Sequence, residues 1–341
     1  MKIAIIGFGN VGRAFAELLQ ERQDWLRVNY NEQLRVVGLS DRSGVIVNND
    51  GLDTASLMQL KQSGRSLESA GAQPATPAEA VRLFAEAGAQ AVIETLPSGL
   101  KTAGEPAITF VTAALNRGLH VITANKAVLL FAGPRLEQLA ADKGVRLAHS
   151  GATCAALPTL SFARRELIGA QITAIRGILN GTTNYILTRM NEDGLSFDAA
   201  LAEAQGKGIA EPDPRYDTEG HDSAAKLVIL ANTLMKAEAT PDDVSRSGID
   251  ALPQPLLEEA QARKGAIKLI ASARLSDGRV ELSVRPQLVP PTDSLFAVRG
   301  SNKAVEFETD LYGTLLVAGG ASSRTAVAAT LLKDVISCVM L

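Results

Sequence analysis

The densest run of chemically capable side chains is Glu211-Pro212-Asp213-Pro214-Arg215-Tyr216-Asp217-Thr218-Glu219-Gly220-His221-Asp222-Ser223-Ala224-Ala225-Lys226. Two prolines stiffen its start, Gly220 punctuates it, and a helix is expected from Asp222 to about Met235. Asp222 and Lys226 are four apart and share one face of that helix. Such a pair can be a solvated ion pair, or it can hold a proton for acid–base work. Lys226 lies near the helix N-terminus, where the macrodipole disfavours a cation, and Ile229 and Leu230 beside it should bury its stem. Both effects lower its pKa, while the nearby carboxylates raise it, so the net direction stays open.

Asn180-Gly181-Thr182-Thr183-Asn184-Tyr185 joins an expected strand, Ile172–Leu179, to a helix. Backbone N–H groups and hydroxyls at such a junction suit a carboxylate or a phosphate, and equally suit plain Thr capping. Lys126, in Thr123-Ala124-Asn125-Lys126, ends another strand, where ligands of parallel sheets bind.

Gly7-Phe8-Gly9-Asn10-Val11-Gly12 matches G-x-G-x-x-G, directly after a strand and opening a helix. Gly7 permits the tight turn, Gly9 the close approach of a pyrophosphate, and Gly12 close helix–strand packing. Asp41 is the acid expected at the end of the second strand, with Trp25–Gln33 as an insertion before it. Asp41 can hold a ribose 2′-OH, as NAD requires. Arg42 beside it can pair with a 2′-phosphate, which tilts the choice toward NADP.

These residues need a scaffold. Short strands at Ile3–Ile6, Leu34–Leu39, Ala91–Ile93, Val121–Thr123 and Val145–Ala148 alternate with helical runs, including Val11–Arg22, a capped helix at Thr76, Ile108–Asn116 and Pro134–Lys143. That alternation is an α/β pattern with a parallel sheet. After about Gly151 helices dominate to Ala237, followed by strands at Ala266–Leu275, Val280–Leu288 and Ala304–Asp310 and a last helix near Ser322–Cys338. This is an α+β domain. The 341 residues suit two domains.

Composition narrows the function. A net charge of −3 gives no reason to expect nucleic acid or an anionic membrane as partner. Two cysteines cannot build a disulfide framework, and with three histidines and no CxxC or HExxH a zinc site is not expected. There is no signal-like start and no 18-residue apolar window, so a cytoplasmic protein is expected. A hydrolase has no G-x-S-x-G elbow to rest on.

With these landmarks the sequence resembles the homoserine dehydrogenases, through Gly7–Gly12, Thr123–Lys126, Gly177-Ile178-Leu179-Asn180-Gly181-Thr182-Thr183-Asn184-Tyr185-Ile186-Leu187 and Glu211–Lys226. The resemblance covers essentially the whole chain, in a short form that stops at Leu341 without a C-terminal regulatory domain. It implies NAD(P)H-dependent reduction of L-aspartate 4-semialdehyde to L-homoserine. It implies Lys226 as proton donor, with Asp222 and Lys126 beside the reacting centre, and Glu211, Asp217, Asp222, Thr182 and Gly181 toward the substrate. Thr95, Lys126, Gly208 and Gly319 join Gly7–Gly12, Asp41 and Arg42 as cofactor contacts. The carbonyls of Ser150, Thr153, Ala155 and Leu157 would hold a monovalent cation such as sodium. The implied domains are a Rossmann nucleotide-binding domain at 1–150 and 312–341, with the C-terminal helix returning to it, and a catalytic and dimerisation domain at 151–311. The implied assembly is a homodimer or homotetramer. The alternatives are another amino-acid or semialdehyde dehydrogenase of the same build, or a nicotinamide-sensing protein without turnover.

Overall fold

The structure, a computed structural model, describes residues 1–320 and 322–339 and divides into two compact units. The first comprises Met1–Ala156 and the chain from Ser323 on; the second is Leu157–Ser322.

The first unit holds β1 (Lys2–Ile6), β2 (Arg35–Asp41), β3 (Gly44–Val47), β4 (Ala91–Glu94), β5 (His120–Thr123) and β6 (Leu147–Ala148). Their order is β3-β2-β1-β4-β5-β6. All run parallel except β3, which turns back antiparallel on β2. The chain winds outward from β1 on one side and from β4 on the other. The switch between them is where ligands enter such sheets, outside the strand carboxyl ends. Ile3, Ile5, Phe15 and Leu19 form one core with Ala328, Leu331 and Val335 of the last helix, Arg324–Val339. That helix therefore belongs to the nucleotide-type fold although it is last in sequence.

Several boundaries differ from the sequence reading. The first helix runs from Asn10 to Tyr30, so most of the expected insertion is helix: the apolar stripe of Phe15, Leu18 and Leu19 continues to Leu26, and Asn31 closes the helix in a left-handed conformation. The helix expected from Pro134 begins at Lys126, because Asn125 caps it by accepting from the Ala127 N–H. Residues 312–320 and 322, expected in the first domain, lie in the second unit, where a strand pairs along its whole length, and residues 151–156, expected in the second domain, lie in the first unit; residues 321, 340 and 341 fall outside the described residues. The helix after Thr76 starts at Pro77 with a full capping box to Glu79.

The second unit holds β7 (Ile172–Ile178), β8 (Ser245–Arg246), β9 (Ala266–Ser276), β10 (Arg279–Val289), β11 (Lys303–Thr309) and β12 (Gly313–Gly319), ordered β12-β11-β7-β9-β10-β8. Neighbours are antiparallel, except that β8 lies parallel to β10. Asp277 and Gly278, both at positive φ, make the two-residue turn between β9 and β10. The helices Gly181–Asp193 and His221–Met235 pack on this sheet and carry the polar constellation. Among the described residues, no helix is long and apolar enough to cross a membrane.

Candidate active site

In the second unit the Asp222–Lys226 pair is mostly buried, with side chains 6% and 13% exposed and Nζ 2.5 Å from Asp222 Oδ2. It is therefore no solvated surface pair. Lys226 also donates to the Leu179 carbonyl at 2.9 Å. Both partners are acceptors, as a proton-bearing ammonium requires. Asn180 sits at the end of β7 and caps the following helix, its Oδ1 accepting from the Thr183 N–H at 2.9 Å. Its amide nitrogen is thereby turned toward two carboxylates, Asp217 Oδ1 and Asp222 Oδ2, at 2.8 Å each.

Burial raises the Asp217 pKa, and the Asp222 charge adds to the effect against the hydrogen bonds from Thr182 and Asn180. Burial, followed by the Asp222 charge, pushes the Tyr216 phenol up to about 12, so it remains a donor at neutral pH. Tyr216 stacks on His221 with ring centroids 5.8 Å apart. Thr182 also donates to the Ile209 carbonyl at 3.1 Å. A Cβ on Gly181 would meet the Ser301 carbonyl oxygen at 2.7 Å, so only glycine lets that loop lie against the helix start. Gly181, Thr182, Asp217, Asp222 and Lys226 thus converge around Asn180. Glu211 is exposed, and Gln205 Nε2 donates to its backbone carbonyl at 3.2 Å. Gly208 is an exposed turn residue at positive φ, and Gly319 ends β12.

In the first unit a Cβ on Gly12 would lie 2.2 Å from the Gly7 carbonyl oxygen, and one on Gly7 2.9 Å from the Leu96 nitrogen. A Cβ on Gly9 would meet nothing within 4 Å. Two glycines are thus required by the chain's own packing, while Gly9 keeps an open face at the helix start. The first-turn N–H groups of Asn10, Val11 and Gly12 have no intrahelical acceptor. This cradle fits a diphosphate. Phe8 points into the core instead. Thr95 donates to the carbonyls of Gly7 at 2.6 Å and Ile6 at 3.2 Å, holding the loop from beneath.

Asp41 ends β2 with both oxygens engaged. Lys61 Nζ lies 2.7 Å from Oδ2, and the Ser43 N–H donates to Oδ1 at 2.8 Å. Partial burial raises its pKa, but the Lys61 and Ser43 hydrogen bonds outweigh this and hold it below the usual carboxylate range. Arg42 stands exposed at the β2–β3 turn. Lys126 is the first residue of its helix.

Sequence reasoning missed Asn180, Lys61 and Glu94 as site residues. Glu94, wholly buried at the end of β4, accepts from Thr123 Oγ1 at 2.5 Å, the Leu96 N–H at 2.7 Å and Asn125 Nδ2 at 3.2 Å. Its only signal is an acid closing an apolar strand. Among the described residues, no group of three or more His, Cys, Asp or Glu side chains could hold a metal.

Residues 158–336 match the family model described as Homoserine dehydrogenase. Residues 1–92 match one described as Glutamate/Leucine/Phenylalanine/Valine dehydrogenase. The chain is 39% identical to a homoserine dehydrogenase of Methanocaldococcus jannaschii, with 98% of each chain covered. It is 39% identical to an NAD(+)-dependent homoserine dehydrogenase of Pseudomonas canavaninivorans, covering 98% of this chain and 95% of the relative. A hyperthermophilic archaeal homoserine dehydrogenase solved in complex with NADPH has a TM-score of 0.80 at 27% identity, over 99% of this chain and 97% of that one. The chain belongs to the homoserine dehydrogenase family.

Proposed function

We propose that this chain reduces L-aspartate 4-semialdehyde to L-homoserine with a nicotinamide cofactor, and catalyses the reverse oxidation. The observation that carries the reading is the buried Lys226 ammonium, held between Asp222 and the Leu179 carbonyl. The nicotinamide, when bound on Gly7–Gly12, supplies the hydride. Lys226 Nζ gives its proton to the aldehyde oxygen as the carbon is reduced, and its charge stabilises the developing alkoxide. In the reverse direction a neutral Lys226 takes the hydroxyl proton. Asp222 fixes the direction of Nζ and, with Asp217 and Glu211, offers negative charge to the substrate's ammonium. The same proposal assigns Gly181 and Thr182 to substrate binding, Lys126 to catalysis, and Thr95, Gly208 and Gly319 to cofactor binding.

NADP(H) is the favoured cofactor in this proposal. The support is the two cations at the end of β2, Lys61 on Asp41 Oδ2 and the exposed Arg42 next to it, which suit a 2′-phosphate. Binding of a sodium-like cation by the carbonyls of Ser150, Thr153, Ala155 and Leu157 belongs to the same proposal. These are uncharged oxygens of the kind hard cations take. The Ala155 carbonyl accepts from Thr330 Oγ1 and the Leu157 carbonyl from the Thr159 N–H, leaving each a second lone pair. A dimer or tetramer is proposed through the second unit, where β12 is an edge strand and Leu311, Tyr312 and Leu316 are exposed.

The test is purified protein with L-homoserine and either NAD⁺ or NADP⁺, followed at the absorbance of the reduced cofactor. Homoserine-dependent reduction is expected. Its absence with both cofactors overturns the reading.

A further inference from the structure

Glu94 is 0% exposed, and the three residues before it in β4 are apolar and buried. A carboxylate is stable in such a place only when hydrogen bonds replace its water. Its three donors among the described residues are Leu96 in the turn after β4, Thr123 at the end of β5 and Asn125 in the turn that follows. Thr123 Oγ1, while donating to Glu94, accepts from the Asn125 N–H at 2.9 Å. Asn125 Oδ1 in turn accepts from the Ala127 N–H at 3.1 Å and caps the helix whose first residue is Lys126. Lys126 is thus set between two residues whose backbone N–H groups are fixed by one relay, and Glu94 is its root. A lysine at a helix N-terminus works against the macrodipole, and the buried anion hydrogen-bonded to the residue before it offsets that cost. The next residue after Glu94, Thr95, clamps the glycine loop through the Gly7 carbonyl. One strand end therefore ties together the turns after β1, β4 and β5.

We infer that Glu94 is a positioning residue for the reaction, seating Lys126 through Thr123 and Asn125. The inference rests on the proposed place of Lys126 at the reacting centre. Glu94 itself touches neither substrate nor reacting atoms in this account; it acts by holding another side chain in register.

The experiment is a double-mutant cycle of Glu94→Ala with Lys126→Ala. It reads kcat and KM for L-homoserine, cofactor Kd by fluorescence of the reduced cofactor, and melting temperature. Glu94→Ala is expected to lower kcat about tenfold to a hundredfold, the range a misplaced group costs, with cofactor Kd changed less than about twofold. In the Lys126→Ala background the same substitution should change kcat by less than about twofold, since interacting residues are not additive. Glu94→Gln keeps the size of the side chain and the acceptor for Leu96, so a smaller loss of kcat is expected. It carries the same cycle if Glu94→Ala does not fold. Equal fold losses in both backgrounds overturn the inference while leaving Lys126 at the reacting centre. So does unchanged kcat in folded Glu94 variants. A Lys126→Ala enzyme with wild-type kcat overturns the Lys126 reading itself, and the inference with it.

Discussion

Asn180 Nδ2 lies 2.8 Å from Asp222 Oδ2, the same oxygen that Lys226 Nζ approaches at 2.5 Å. Asn180 Oδ1 accepts from the Thr183 N–H, so the side chain's orientation is set by the helix it caps. A backbone cap thereby fixes the carboxylate that fixes the proton donor.

Asn180→Ala should leave Asp217 and Asp222 each short of a donor, at about 1–3 kcal/mol for a buried group left unsatisfied. A lower melting temperature and a fall in kcat larger than any change in cofactor Kd are expected. Wild-type kcat in this variant would show that the donor needs no such alignment.

Lys61→Ala and Arg42→Ala should weaken NADP⁺ binding more than NAD⁺ binding. The expected loss for the partly buried Lys61 is about tenfold to a hundredfold, as for hydrogen bonds to charged groups. Arg42 is exposed, so its loss should be smaller. Dissociation constants for both cofactors decide this, and equal losses would remove both cations from the 2′-phosphate.

Burial, against three hydrogen bonds, raises the Glu94 pKa from 4.5 to about 6. A raised carboxylate binds its proton more tightly in the folded state, so its contribution to stability is greatest below pH 4.5 and is lost as pH rises through 6. The amount is about 2 kcal/mol at 1.36 kcal/mol per pKa unit. Urea titrations from pH 4 to 7 should show wild-type stability falling by about that much relative to Glu94→Gln. A pH-independent difference would contradict the raised value.

Lys268, 2% exposed on β9, donates to the Val298 carbonyl at 2.6 Å and Asn184 Oδ1 at 3.2 Å. Burial pushes its pKa down to about 8. Lys268→Met should cost about 1–3 kcal/mol at pH 7, because Asn184 Oδ1 loses its donor, while the Val298 carbonyl keeps the Asn184 Nδ2 donor. Wild-type stability should gain on the variant between pH 8 and 10.5, where the unfolded lysine binds more protons than the folded one. Thermal melts across that range check both the cost and its sign.

The parts of the site legible in the sequence are those whose partners lie within a few residues. The glycine spacing from Gly7 to Gly12 and the one-turn separation of Asp222 and Lys226 announce themselves because strand–helix turns and helix faces are local. The parts that were not legible depend on the fold. Lys61 meets Asp41 from 20 residues away, and Glu94 meets Thr123 from 29. β12 was missed because a short apolar run between glycines does not say which sheet it will join. Asn180 lay inside a recognised motif, but its commitment to two carboxylates needed the turn from β7 into its helix.

The central claim is that Lys226 gives the proton during carbonyl reduction, and single-turnover hydride transfer in Lys226→Ala tests it most directly. A positioned general acid contributes about 10²–10⁴-fold, so a loss of that size is expected, with cofactor Kd nearly unchanged and no rescue by Lys226→Arg, whose guanidinium stays protonated. A folded Lys226→Ala enzyme that transfers hydride at close to the wild-type rate would contradict the account.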